Sequence, residues 1–184
     1  TYYPGAEQMT LKLLFDDGGR ILGAQGVGAE NVEKQIDVIA AAMKFGGTVR
    51  DLAEMELCYA PPYNSAKSPV NMLGFIACNR LDGLMPVEYA ENIEESDFVL
   101  DVRTRGEYAA GHIEGSVNIP LDELRDRLSE LPSDVRIVVT CAVGLRGYIA
   151  VRILLGHGFA AANLTGGFRL YTLAKKAGLV KTAR

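Results

Sequence analysis

Cys141 and Arg146 enclose the loop of the stretch Ile137-Val138-Val139-Thr140-Cys141-Ala142-Val143-Gly144-Leu145-Arg146-Gly147. A thiol and a guanidinium at Cys-x-x-x-x-Arg spacing can form a nucleophile and a clamp for an anion. A free thiol has a pKa near 8.5, so only ~3% is thiolate at pH 7. Inward-pointing backbone N–H groups, the N-terminus of a following helix and the Arg146 guanidinium would each favour the thiolate. A fall of ~2 units would ionise most of the thiol at neutral pH. The competing reading is a buried cysteine that packs as a small hydrophobe.

Such a loop needs a rigid frame. Residues 137–139 are β-branched, apolar and too few for a helix, which suits an inner strand of a parallel sheet. Residues 148–155 have helix length and an apolar stripe. Gly144 helps the chain turn between them. The loop N–H groups of Ala142, Val143, Gly144, Leu145 and Gly147 then face a concavity that favours an anion. Around this unit the spacing predicts alternation. Residues 88–93 read as a short helix, 98–102 as a buried strand and 104–110 as a short helix. A strand follows at 115–119, then a helix opened by Pro120 and running to 128. After the Cys141 unit come a strand at 161–164 and a last helix from Gly166-Gly167 to 177. This alternation predicts an α/β domain with a central parallel sheet covered on both faces. Sites in such sheets lie beyond the carboxyl ends of the strands, where Asp101 and Cys141 fall.

The chain has 184 residues, 48% hydrophobic and 23% charged, ordinary for a globular protein of one large or two small domains. A net charge of −4 gives no footprint for nucleic acid or an anionic membrane. No apolar run approaches the ~18 residues that span a bilayer, and no signal segment opens the chain. The 3 cysteines, widely spaced, suit reduced thiols in a cytoplasm, and neither Cys-x-x-Cys nor a His pair suggests a metal site. Thr1-Tyr2-Tyr3-Pro4-Gly5 reads like the middle of a protein, so a fragment lacking an N-terminal part is expected.

In the first half, residues 9–15 and 20–27 flank Asp16-Asp17-Gly18-Gly19 and read as a β-hairpin. Asn31 is expected to cap a helix with Val32, Ile36, Ile39, Ala40 and Met43 on one face, ended by Gly46-Gly47. Thr48 and Asp51 predict a capping box. Next comes the loop Leu57-Cys58-Tyr59-Ala60-Pro61-Pro62-Tyr63, whose prolines fix an extended turn with a tyrosine on either side. A hairpin and two helices make a thin core, so completion by another chain or by a missing domain is expected.

Residues 1–79 resemble the dimerisation domain of the flavin- and NAD(P)H-dependent disulfide reductases, in the coenzyme A-disulfide reductase and NADH oxidase branch. The matching stretches are Tyr2-Tyr3-Pro4-Gly5, Gly19-Arg20-Ile21-Leu22-Gly23-Ala24-Gln25, Lys34-Gln35-Ile36-Asp37-Val38-Ile39-Ala40, Leu52-Ala53-Glu54-Met55-Glu56-Leu57 and Tyr59-Ala60-Pro61-Pro62-Tyr63. The resemblance implies an α+β domain, a homodimer through residues 1–79, and tyrosines that assist disulfide cleavage at the partner subunit's flavin site. By resemblance Tyr59 takes one such role and Tyr2 the other, a phenol being able to give a proton to a departing thiolate. FAD, NAD(P)H and coenzyme A are implied for the intact flavoprotein and none for this chain alone, because the flavin and nucleotide domains are absent from it.

Residues 80–84 read as a linker, and residues 85–184 resemble a single-domain rhodanese. That likeness rests on Asp101-Val102-Arg103, on Glu107-Tyr108-Ala109-Ala110-Gly111-His112-Ile113-Glu114-Gly115-Ser116-Val117-Asn118-Ile119-Pro120, on the Cys141–Arg146 loop, and on Leu164-Thr165-Gly166-Gly167-Phe168. It implies that Cys141 accepts sulfane sulfur as a persulfide and passes it on. The four-residue spacing resembles the sulfur-handling rhodaneses, whereas the related phosphatases and arsenate reductases have one residue more. The loop is apolar, which leans toward polysulfide, protein persulfide or coenzyme A persulfide rather than thiosulfate. Asp101 and Arg103 are candidates for substrate binding or for a structural pair. His112, a possible general base, reads rather as a structural hydrogen-bonding residue, and His157 as a cation near a helix end; Cys58 could be redox-active but reads as packing, and Cys78, near the linker, as incidental. Two functions remain open: a sulfur-transferring region of a coenzyme A-disulfide, polysulfide or persulfide reductase, or a non-catalytic dimerisation module with a sulfur-carrier or protein-docking domain.

Overall fold

The computed structural model describes residues 4–61 and 63–180. The chain divides into two compact units, Thr1–Gly83 and Leu84–Arg184.

In the first unit, strands β1 (Met9–Phe15) and β2 (Ile21–Gly28) pair antiparallel. Asp16 closes the turn by accepting the N–H groups of Gly18 at 3.0 Å and Arg20 at 2.9 Å. Helix α1 (Val32–Lys44) follows, but Asn31 makes no side-chain cap; it takes a left-handed backbone instead. The helix also turns a different face inward than the apolar spacing predicts. Gln35, Ile39 and Ala42 are buried, while Met43 is 40% exposed. Ala24, Ile36, Ile39, Ala40 and Met43 line an apolar groove.

Helix α2 (Val49–Glu54) opens with the expected Thr48–Asp51 capping box. Helix α3 (Pro69–Leu81) has no counterpart in the sequence reading. Its start is nonetheless written in the chain: Ser68 and Asn71 form a second capping box, with Pro69 at the first turn. Residues 80 and 81 therefore belong to α3, and the linker expected from residue 80 starts only after it. Gly74 carries the packing of α3 on α2, since a Cβ there would lie 2.4 Å from the Ala53 nitrogen. Ile21, Ile39, Leu52 and Val70 form the core.

The second unit is a parallel sheet of 5 strands in the order β3-β7-β6-β4-β5: β3 (Val87–Glu88), β4 (Phe98–Asp101), β5 (Val117–Asn118), β6 (Ile137–Thr140) and β7 (Ala161–Leu164). Alternation along the strands builds two cores. Leu100, Ile137 and Val139 pack with Ile119 and Leu124 on one face, and Val99, Val138 and Leu164 with Ile113 and Tyr171 on the other. Helix α4 (Arg105–Ala109) is capped by Thr104 and Glu107; α5 (Leu145–Gly156) and α6 (Gly167–Lys176) follow β6 and β7.

Three expectations are corrected in this unit. Residues 88–93 are not a helix but the end of β3 and a 3₁₀ turn at Ala90–Asn92. The helix after Pro120 is two 3₁₀ segments, Leu121–Asp126 and Leu128–Glu130. Bonds such as Arg127 N–H to the Leu124 carbonyl keep that spacing and bury Leu124. Strand β5 is only two residues long, and beside it the Asn118 side chain donates to the Asp101 and Arg103 carbonyls at 2.8 and 2.9 Å.

Candidate active site

The four residues of β6 are all buried between β4 and β7, and the chain leaves this strand at Cys141, itself 1% exposed. The backbone then folds back so that the Gly144 N–H donates to the Cys141 Sγ at 3.1 Å. Gly144 has φ +124°, a conformation that side chains disfavour. The loop is fastened from behind by the start of α6. The N–H groups of Phe168 and Arg169 donate to the carbonyls of Cys141 at 2.7 Å and Ala142 at 3.1 Å. Gly167, at φ +58°, permits this approach, since a Cβ there would lie 2.4 Å from the Cys141 carbonyl oxygen. From β7, the Asn163 amide donates to the Gly144 carbonyl at 3.1 Å. Gly147 packs directly on that amide. Sequence reasoning treated the Gly166-Gly167 pair as the start of a helix; it is also the strap under the loop.

Arg146 begins α5 but does not point its fork at the sulfur. Its Nη1 and Nη2 donate to the two carboxylate oxygens of Glu107, each at 2.7 Å. The same carboxylate accepts the Thr104 N–H at 2.9 Å and hydroxyl at 3.0 Å. The Arg146 fork, above all, holds the Glu107 carboxyl down at about 2, with the Thr104 donors adding to it. In return, Glu107 favours the charged guanidinium, with smaller favourable contributions from a Cys141 thiolate and Asp101. The Arg146 charge is thus shared with Glu107. Sequence reasoning missed this residue. Thr104-x-x-Glu107 signals a capping box, but nothing local signals a pairing with a residue 39 positions away.

Asp101 and Arg103 lie at the end of β4, 0% and 5% exposed. Arg103 donates to Asp101 from Nε at 3.0 Å and Nη2 at 2.6 Å, and from Nη2 to the Gly111 carbonyl at 2.8 Å. Its guanidinium stacks 4.2 Å from the centre of the Phe168 ring. The pair ties the β4 end to α6 through Phe168, the arrangement expected of the structural alternative.

The sequence profile of the rhodanese-like domain matches residues 85–174, and that of the pyridine nucleotide-disulphide oxidoreductase dimerisation domain matches residues 1–69. The chain therefore carries the dimerisation domain first and the rhodanese-like domain after it. It is similar to coenzyme A disulfide reductases of Staphylococcus aureus (strain bovine RF122 / ET3-1) and of Staphylococcus epidermidis, at 46% and 40% identity over 77 residues. Those matches cover 41% of this chain and 18% of each relative. Among solved structures, reduced Bacillus anthracis CoADR-RHD is 48% identical with a TM-score of 0.91, over 95% of this chain and 32% of that one. A NAD-dependent persulfide reductase from A. fulgidus is 43% identical with a TM-score of 0.81, over 90% and 30%. The chain thus spans about a third of these solved chains and less of the curated relatives.

In the dimerisation domain, Tyr59 is 59% exposed and Tyr63 77%, on a loop of turns after α2. Tyr2 lies outside the described residues. Cys58, Cys78 and Cys141 are all free thiols; Cys58 is exposed, so the packing role expected for it is corrected. In the rhodanese-like domain, His112 stacks on Tyr108 at 4.0 Å and its Nδ1 meets the Tyr108 carbonyl at 3.0 Å. His157 Nδ1 meets the Ile153 carbonyl at 2.8 Å at the end of α5. Among the described residues no group of 3 or more His, Cys, Asp or Glu could hold a metal ion, and no helix is long and apolar enough to cross a membrane.

Proposed function

We propose that this chain is the sulfur-handling and dimer-forming region of a coenzyme A-disulfide, polysulfide or persulfide reductase. The observation that carries the reading is the placement of Cys141: a thiol at the carboxyl end of the central strand, in a Cys-x-x-x-x-Arg loop, receiving a backbone N–H on its sulfur. The Cys141 thiolate attacks the outer, sulfane sulfur of a donor. The sulfur–sulfur bond of the donor breaks, and its remainder leaves with the electron pair. Cys141 then carries a persulfide, whose terminal sulfur an acceptor thiolate attacks in turn, restoring the Cys141 thiolate. The loop N–H groups stabilise the anionic persulfide as they would any oxyanion or thiolate. The names of the similar proteins, coenzyme A disulfide reductase and persulfide reductase, support a sulfur-directed redox reaction in the intact protein.

In this reading FAD and NAD(P)H are bound by domains outside this sequence, and the dimerisation domain presents Tyr59 to the partner subunit's disulfide, where its phenol protonates the leaving thiolate. The homodimer is supported by the matched domain and by apolar side chains open to solvent, such as Leu22 at 58%, Val27 at 75% and Phe45 at 88%. Free thiols throughout suit a reducing cytoplasm.

The test is intact mass spectrometry on the chain and on Cys141→Ser after polysulfide, thiosulfate or coenzyme A persulfide. An adduct of ~32 Da on the native chain alone, discharged by a thiol, is expected. No adduct, or the same adduct on the variant, overturns the reading.

A further inference from the structure

We infer that Glu107 is the residue that selects the sulfur donor, by cancelling the charge of Arg146 so that the loop takes thiol persulfides and rejects dianions such as thiosulfate. The inference rests on the proposed persulfide chemistry of Cys141. The geometry is a closed fork: two parallel N–H···O bonds of 2.7 Å between Arg146 and Glu107. Such a pair is neutral overall, and its field at the neighbouring sulfur is that of a dipole rather than a cation.

Nothing else in the loop replaces the lost charge. Ala142, Val143, Gly144 and Leu145 carry none, and Arg103, just after β4, is buried and paired with Asp101. Val143 is 58% exposed and Leu145 66%, so the rim of the loop is apolar. Thiosulfate brings two negative charges, which its leaving sulfite keeps as the S–S bond breaks. A thiol persulfide brings one charge at most beside its sulfane sulfur, and its leaving thiolate is joined to carbon that can lie against Val143 and Leu145. A loop with one uncompensated arginine would favour the first; a loop with a neutralised arginine and an apolar rim favours the second.

Glu107 does not touch the sulfur. It is a positioning residue that acts through Arg146, and its test must separate charge selection from scaffolding. The rate constant for forming the Cys141 adduct would be measured on the full chain with thiosulfate and with glutathione persulfide. Glu107→Gln keeps an amide oxygen for the Thr104 cap but frees the arginine charge. The ratio of the thiosulfate to the glutathione persulfide constant should rise about tenfold, and the rise should shrink as salt is added. Glu107→Asp offers a second route, because Asp51 closes a capping box with Thr48 in this same chain. The shorter side chain should keep the cap and lose the fork, giving a smaller rise. In Glu107→Gln combined with Arg146→Gln the rise should vanish. A purely structural role would lower both constants together and leave the ratio flat; that result, or a rise that persists without Arg146, overturns the inference. The absence of any adduct on the native chain with either donor is a different result and overturns the underlying reading as well.

Discussion

The two loops that carry candidate chemistry are held in opposite ways. The Cys141 loop sits at the end of a central strand and is tied at Cys141 and Ala142 by α6, at Gly144 by Asn163 and at Arg146 by Glu107. The Tyr59 loop is fixed chiefly at its two ends. Asn71 donates to the carbonyls of Leu52 at 3.1 Å and Met55 at 2.8 Å, and accepts from the Ser68 N–H at 3.1 Å. Between them Tyr59 and Tyr63 stand in solvent. The contrast fits their proposed tasks. A nucleophile whose substrate comes to it is preorganised within its own domain, whereas a phenol that serves another subunit is left for that subunit to order.

The largest break in this contrast comes from filling the contact under the Cys141 loop. Gly167→Ala puts a Cβ 2.4 Å from the Cys141 carbonyl at a φ of +58°. Backbone strain and the clash should cost about 3 kcal/mol. A loop shifted by even ~1 Å should form the Cys141 adduct about a hundredfold more slowly. Chemical denaturation and timed mass spectrometry check both numbers, and the same substitution should leave the Tyr59 loop's proteolysis unchanged.

These fastenings also mark how far the chain can be read without a structure. Strands β4, β6 and β7 and helix α5 are legible because short β-branched runs and apolar helix stripes are local signals. Helix α3 is announced by Ser68-Pro69, but it follows directly on a proline-containing stretch whose local signals are those of a loop. The 3₁₀ segments after Pro120 share their Leu121–Leu124 spacing with an α-helix, and only the bonds formed distinguish them. Within the site, Cys141, Gly144 and Arg146 are legible as one contiguous motif. Glu107 and Asn163 are not, because their partners lie 39 and 19 residues away. The burial of Asp101 and Arg103 was equally hidden, since a charged pair at a strand end looks the same in sequence whether it faces a ligand or itself.

The converse break is in the dimerisation domain. Asn71 is 4% exposed, and Asn71→Ala strands the carbonyls of Leu52 and Met55 and removes one side of the α3 capping box. The expected loss is about 2–3 kcal/mol, confined to this unit. Hydrogen exchange should rise over residues 52–68, while the rate of Cys141 adduct formation should hold. Equal loss at Cys141 would show that the two loops are not independently supported.

The smallest effect is electrostatic and sharpens the contrast further, because the Cys141 loop is itself held by an ion pair, Arg146–Glu107. Glu107 titrates near 4.5 when unfolded and is held at about 2 in the folded chain, chiefly by Arg146. A depressed carboxyl stabilises the fold above its unfolded pKa and loses that contribution as pH falls through its folded pKa. The stability lost between pH 4.5 and 2 should therefore be larger in the native chain than in Glu107→Gln. The Glu107 side chain is 38% exposed, so water and salt screen the pair and the difference should stay below about 1 kcal/mol. Other carboxylates, among them Asp97 beside Arg136 and Glu130 beside Arg127, are also held below their ordinary range, and their contributions cancel when the two curves are subtracted. A difference that grows as pH rises above 4.5 would have the wrong sign for a depressed carboxyl and would remove Glu107 from the frame of the loop.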